Sequence, residues 1–189
     1  MRPIGYLYKR VAERPEWLKA RDVDDIYSLS NCMSEAFADY VEYWQHNGYW
    51  LFDSPSVIQA LCAAQGIGLE GLKLFYYEAY EEEYLDRTNE WVAFGPEVSF
   101  ATNVVEPANR VLEGFDVASF SAGTAPECSP LSCNAGAETH ATNAHCLFRT
   151  FKEALRAIEQ QPRAAWEPGP YRIIAVYSVI DSEPGDQAK

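Results

Sequence analysis

The segment YRIIAVYSVI, residues 171–180, decides the fold. It is nearly continuous in apolar and β-branched residues and lacks the alternation of a strand with one wet face. It therefore reads as a strand covered on both sides and placed centrally in a sheet. Just before it, the turn EPGP (167–170) and Pro162 close off a helix that opens at TFKE (150–153). There Thr150 and Glu153 have capping-box spacing, and Phe151, Ala154, Leu155 and Ile158 form one apolar stripe.

The same reading extends toward the N-terminus. Strands are expected at 4–10, 25–30, 49–52, 72–80, 114–121 and, more weakly, 97–105, where aromatic and branched residues gather between turn formers. Met33, Ala36, Phe37, Tyr40, Val41 and Trp44 recur at helical spacing and predict a helix over 33–46, with Ser30 or Asn31 as its cap. In DSPSVIQALCAAQG (53–66), Ser54 suits an N-cap, Pro55 the first helical position and Gly66 the end, so a second helix is expected there with Cys62 on its apolar side. Strands broken by three helices, without regular alternation, give an α+β class. The expectation is one domain over 1–181, with a mixed or mostly antiparallel sheet of about five to six strands, about three helices packed on it, and a flexible tail at 182–189. No internal repeat stands out by eye.

Charge narrows the function. The chain carries a net charge of −13 over 189 residues, and residues 34–107 hold two lysines or arginines against thirteen acids. Nucleic-acid binding needs cations to displace counterions from phosphates, so DNA, RNA and anionic membranes are poor partners for this chain. No apolar run reaches the length of a membrane span, and the first residues lack an export-signal pattern, so a cytoplasmic protein is expected. Five cysteines in a reducing compartment should remain thiols or bind metal.

Two segments compete as functional sites. In YYEAYEEEYLDRTNEW (76–91) acids and aromatics alternate. Glu78, Tyr80, Glu81, Glu82, Glu83, Tyr84 and Asp86 would form an acidic surface suited to a basic protein partner, as in an inhibitor or immunity-type protein, with Glu81, Glu82 and Glu83 largely exposed. The plainer reading is a solvated face with tyrosines packed inward.

The other segment is PECSPLSCNAGAETHATNAHC (126–146). Cys128, Cys133, His140 and Cys146 supply four nitrogen and sulfur donors for zinc, with His145 in reserve. The plainest reading makes the three cysteines small buried hydrophobes; a third makes one of them a nucleophile or half of a redox pair. His46 reads as a helix C-terminal cap. No phosphate loop, nucleophile elbow or histidine-metal helix is present, so an enzyme is disfavoured. The leading expectation is the acidic binding module, and the alternative is a zinc or reactive-cysteine site in loop 126–146.

Overall fold

The computed structural model describes residues 1–33, 47–95, 103–121, 125–160 and 166–180. The helix expected over 33–46, His46, most of the weak strand at 97–105 and the tail fall outside these bounds or nearly so.

The strands are β1 (Arg2–Lys9), β2 (Ala12–Glu13), β3 (Asp25–Ile26), β4 (Lys73–Leu85), β5 (Glu90–Ala93), β6 (Arg110–Ser119) and β7 (Tyr171–Val179). The helices are α1 (Pro55–Gln65), α2 (Pro130–Cys133) and α3 (Phe151–Gln160), with a 3-10 turn at Gly136–Glu138. The architecture is α+β: an antiparallel sheet in the order β1-β4-β7-β6, with β5 also on β4, and a two-stranded ribbon of β2 and β3. As its sequence implies, β7 is interior, between β4 and β6. β4 is long enough for β1 to pair with its first half and β5 with its second, along one edge. Residues 49–52, expected as a strand, make only a bridge between Tyr6 and Phe52, and the expected strand at 25–30 stops at Ile26. Among the described residues no helix is long and apolar enough to cross a membrane.

Local signals fix the helix ends. Ser54 accepts a hydrogen bond from the Val57 N–H, Pro55 opens α1, and Gly66 ends it in the left-handed conformation. At α3 the Thr150 N–H donates to Glu153 at 2.9 Å while the Glu153 N–H donates to the Thr150 hydroxyl at 3.3 Å. Ile58 and Cys62 of α1 enter the core around β1, whereas Ala154, Ala157 and Ile158 of α3 pack with Val117 and Ile173.

The register carries an approximate two-fold symmetry. β4 and β7 pair as Phe75–Ser178, Tyr76–Tyr177, Tyr77–Val176, Glu78–Ala175 and Ala79–Ile174. On the outer sides Gly5 faces Tyr77 and Gly114 faces Val176, each at a bulge. Rotation about the Tyr77–Val176 pair thus exchanges β4 with β7 and β1 with β6.

The equivalence continues into the loops, in NGYWLF (47–52) and NAHCLF (143–148). The Asn47 side-chain oxygen accepts from Tyr49 and Leu51 N–H groups, and its amide nitrogen donates to the Ile4 carbonyl. Asn143 does the same with His145, Leu147 and the Glu113 carbonyl. Trp50 and Cys146, in matching places, have φ of 60° and 59°. Phe52 then bridges Tyr6, Phe148 bridges Phe115, and Ser54 and Thr150 start helices that lead into β4 and β7.

Each half is therefore edge strand, insert, asparagine turn, helix and central strand. The expectation of no repeat is corrected. What hides the repeat is the insert between edge strand and asparagine turn, which covers residues 10–46 in the first half and 120–142 in the second, so no fixed period exists.

Candidate metal centre

The two inserts meet, and the three cysteines they carry meet with them. Cys32 comes from the first insert, Cys128 and Cys133 from the second, and their Sγ atoms all lie within 4.8 Å of one another. Cys128 is fixed by sheet-like pairing: the Ser119 N–H donates to the Cys128 carbonyl at 2.8 Å, and the Glu127 N–H returns to Ser119 at 3.0 Å. Cys133 ends the single turn of α2, where its N–H donates to the Ser129 carbonyl at 2.9 Å.

Two buried charged groups, Lys9 and Asp116, align the inserts. The Lys9 ammonium donates to the carbonyls of Ser28, Leu29 and Ser30 at 2.6, 2.9 and 2.8 Å, which satisfies all three of its protons. Asp116, fully buried on β6, accepts from the Leu29 N–H and the Ser129 hydroxyl, each at 2.7 Å. One carboxylate thus holds both inserts, and the Ser30 hydroxyl lies 3.7 Å from Cys133 Sγ as a result.

The electrostatics favour one thiolate among the three sulfurs. Cys133 is pushed down because Cys128 and Cys32 can donate to its sulfur, aided by the Ser129 backbone and Ser30, and against the effect of burial. Cys128 moves the opposite way, as the donor to Cys133 and as a buried group. Burial lifts Cys32 to about 11, although it is the exposed member of the cluster; the Glu127 carbonyl, 2.9 Å away, is the alternative acceptor for its one proton. Burial also raises Asp116, to about 6, with Ser129, Leu29 and Lys9 opposing.

Of the four zinc donors expected from the sequence, the structure brings together Cys128 and Cys133. His140 packs against Phe148 and Trp166 and lines an open cavity of about 330 Å³ with Lys19, Arg21 and Glu138. Cys146 is buried in the asparagine turn, and burial holds its thiol up at about 12. His145 stacks on Tyr27, with ring centroids 4.0 Å apart, and pairs with Asp25 at 2.5 Å. Cys32 lies outside any spacing pattern, because a ligand 96 residues before Cys128 leaves no short motif. All five cysteines are free thiols, and Cys62 is core, as its helix predicts.

The acidic segment is arranged differently from the surface expected of it. Glu78 is buried on β4, accepts from the hydroxyls of Tyr76 and Tyr177, and lies 3.3 Å from Arg110. Glu83, expected to be largely exposed, has 17% side-chain exposure and takes a 2.9 Å hydrogen bond from Arg172, which is itself sandwiched between Phe94 and Phe120. Asp86 accepts the Gly169 N–H at 3.1 Å. Glu82 accepts from the Tyr80 hydroxyl, and Tyr84 is buried against Trp91. Of the carboxylates expected to bind a partner, Glu81 is the one that faces water, at 62% exposure. The physical reason is that β4 is an interior strand along most of its length, so its acids must find partners.

Comparison with protein-family models, curated proteins and solved structures finds no match to this chain.

Proposed function

We propose that the protein binds a thiophilic divalent ion of the zinc class through Cys32, Cys128 and Cys133. The observation that supports this reading is the convergence of three sulfurs from two inserts about a hundred residues apart. Thiolates about 2.3 Å from a tetrahedral ion lie roughly 3.8 Å from each other, so the three need only a small inward movement to share one. Asp116 and Lys9 fix the backbone on both sides, which lowers the ordering cost of binding. The three cysteines leave one tetrahedral position for a further donor. Loss of protons from Cys32 and Cys128 on binding makes affinity rise with pH.

The test is metal content and affinity of the reduced protein. One zinc per chain is expected, with Cys32→Ser, Cys128→Ser or Cys133→Ser each weakening binding at least tenfold. His140→Ala and Cys146→Ala should bind as the wild type does. Wild-type affinity in Cys32→Ser would overturn the reading. A basic protein partner at residues 78–86 has less support, since Glu78, Glu83 and Asp86 are engaged within the fold.

A further inference from the structure

The same three sulfurs have a second chemistry that does not depend on a metal. We infer that the cluster is a two-electron thiol switch in which a hydroperoxide links Cys133 to Cys32, and that in the zinc-loaded protein this linkage releases the ion; only that second clause rests on the metal reading.

Three placements argue for it. Cys133 Sγ lies within 4.8 Å of both other sulfurs and 3.7 and 3.9 Å from the Ser30 and Ser132 hydroxyls, so it can reach either cysteine with a small movement. Cys32 is exposed and held at the cluster by the Glu127 carbonyl, so an oxidant from solvent approaches on its side. Cys128 is buried, with its thiol directed 3.4 Å from the Asn134 side-chain oxygen, and is the less available partner. The remaining cysteines, Cys62 and Cys146, are buried and outside the cluster.

The chemistry balances in two steps. The Cys133 thiolate attacks one peroxide oxygen, an S–O bond forms as the O–O bond breaks, and the departing oxygen leaves as water (or as an alcohol from an organic hydroperoxide) after taking a proton. The Cys32 sulfur, having lost its proton, then attacks the sulfenic sulfur of Cys133. The S–S bond forms as the S–O bond breaks, and the second oxygen leaves as water. Two thiols are oxidised by two electrons and the hydroperoxide is reduced. A bond between residues 32 and 133 closes a loop of about a hundred residues, which in the chain-entropy account stabilises the folded state strongly. Two of the three metal ligands are consumed.

The experiment treats full-length reduced protein, once metal-free and once zinc-loaded, with one equivalent of hydrogen peroxide. Readouts are thiol count under denaturing conditions, non-reducing peptide mass mapping, and zinc release to a chromogenic chelator. Both preparations should lose two thiols, yield the Cys32–Cys133 peptide pair and recover with dithiothreitol, and the loaded protein should release its zinc in step. In Cys32→Ser, Cys133 sulfenate should accumulate and be trapped by dimedone.

Formation of that pair in protein that binds no zinc upholds the switch and sinks the metal reading. Zinc binding with only Cys128–Cys133 linkage, intermolecular dimers through Cys32, or sulfinate as the sole product overturns the switch and leaves the metal reading standing.

Discussion

The Asp116 carboxylate accepts the backbone N–H of Leu29 at 2.7 Å across eighty-seven residues of chain. That contact joins an edge strand of one half to the insert of the other, and its ionisation should be visible in stability. Burial holds Asp116 at about 6 when folded, against an ordinary value of 3.8. A carboxyl whose folded pKa is raised binds more protons folded than unfolded between these values. Its favourable contribution is complete below about pH 4 and is lost as pH rises through about 6, a swing on the order of 3 kcal/mol. Asp116→Asn removes this titration. The stability of wild type minus variant, from urea melts, should fall between pH 4 and 7 and then level off; a flat difference would refute the assignment.

Lys9→Met removes the cation that satisfies three consecutive carbonyls and leaves Asp116 without its nearby positive charge. Leaving three buried carbonyls without their donor and a buried carboxylate without a nearby cation costs about 3–5 kcal/mol. Chemical denaturation should show that loss, and the Asp116 titration in the surviving fold should shift further upward.

The acidic residues of β4 should separate sharply under charge reversal. Glu81→Lys touches an exposed side chain and should change stability by less than about 0.5 kcal/mol. Glu83→Lys places a second cation against Arg172, whose side chain is 9% exposed between two aromatic rings, and should cost several times more, on the order of 3 kcal/mol. Equal melting temperatures for the two variants would refute the internal role of Glu83.

Gly114→Ala tests the bulge that seats the second asparagine turn. Gly114 has φ of 154°, and an added Cβ would lie 2.7 Å from the Phe148 carbonyl oxygen and 2.8 Å from Leu147 Cβ. Backbone strain and the clash together should cost about 2–3 kcal/mol, read as a lower melting temperature. Gly5→Ala, at φ of 136° and 2.7 Å from the Phe52 carbonyl oxygen, should behave alike if the halves are equivalent.

Legibility in the sequence followed the range of each interaction. The ends of α1 and α3 could be read because Ser54, Pro55, Gly66, Thr150 and Glu153 act within one helical turn. β7 could be read because burial on two faces leaves an unbroken apolar run. β5 was missed because Glu90–Ala93 is four residues long and takes its strand character from β4. Cys128 and Cys133 could be nominated from local spacing. Cys32 joins them through tertiary contacts such as those of Asp116 and Glu127, which the chain order keeps apart from it, and no periodicity encodes them. The burial of Glu78 was equally hidden, since a glutamate looks like surface until Tyr76, Tyr177 and Arg110 are known to surround it.

The interior position of β7 also sets a timetable for synthesis. β1, β4 and β5 can pair as soon as residue 93 has been made, but β6 touches the rest of the sheet through β7, which begins at Tyr171. Contacts of such long sequence separation form late, since loop closure must precede them. A nascent chain halted short of Tyr171 would therefore carry Cys32 and Cys133 on two pieces that the sheet does not yet join. Metal or oxidant reaching it then would meet separate thiols, and the cluster would arise only once the final strand slides between its two neighbours.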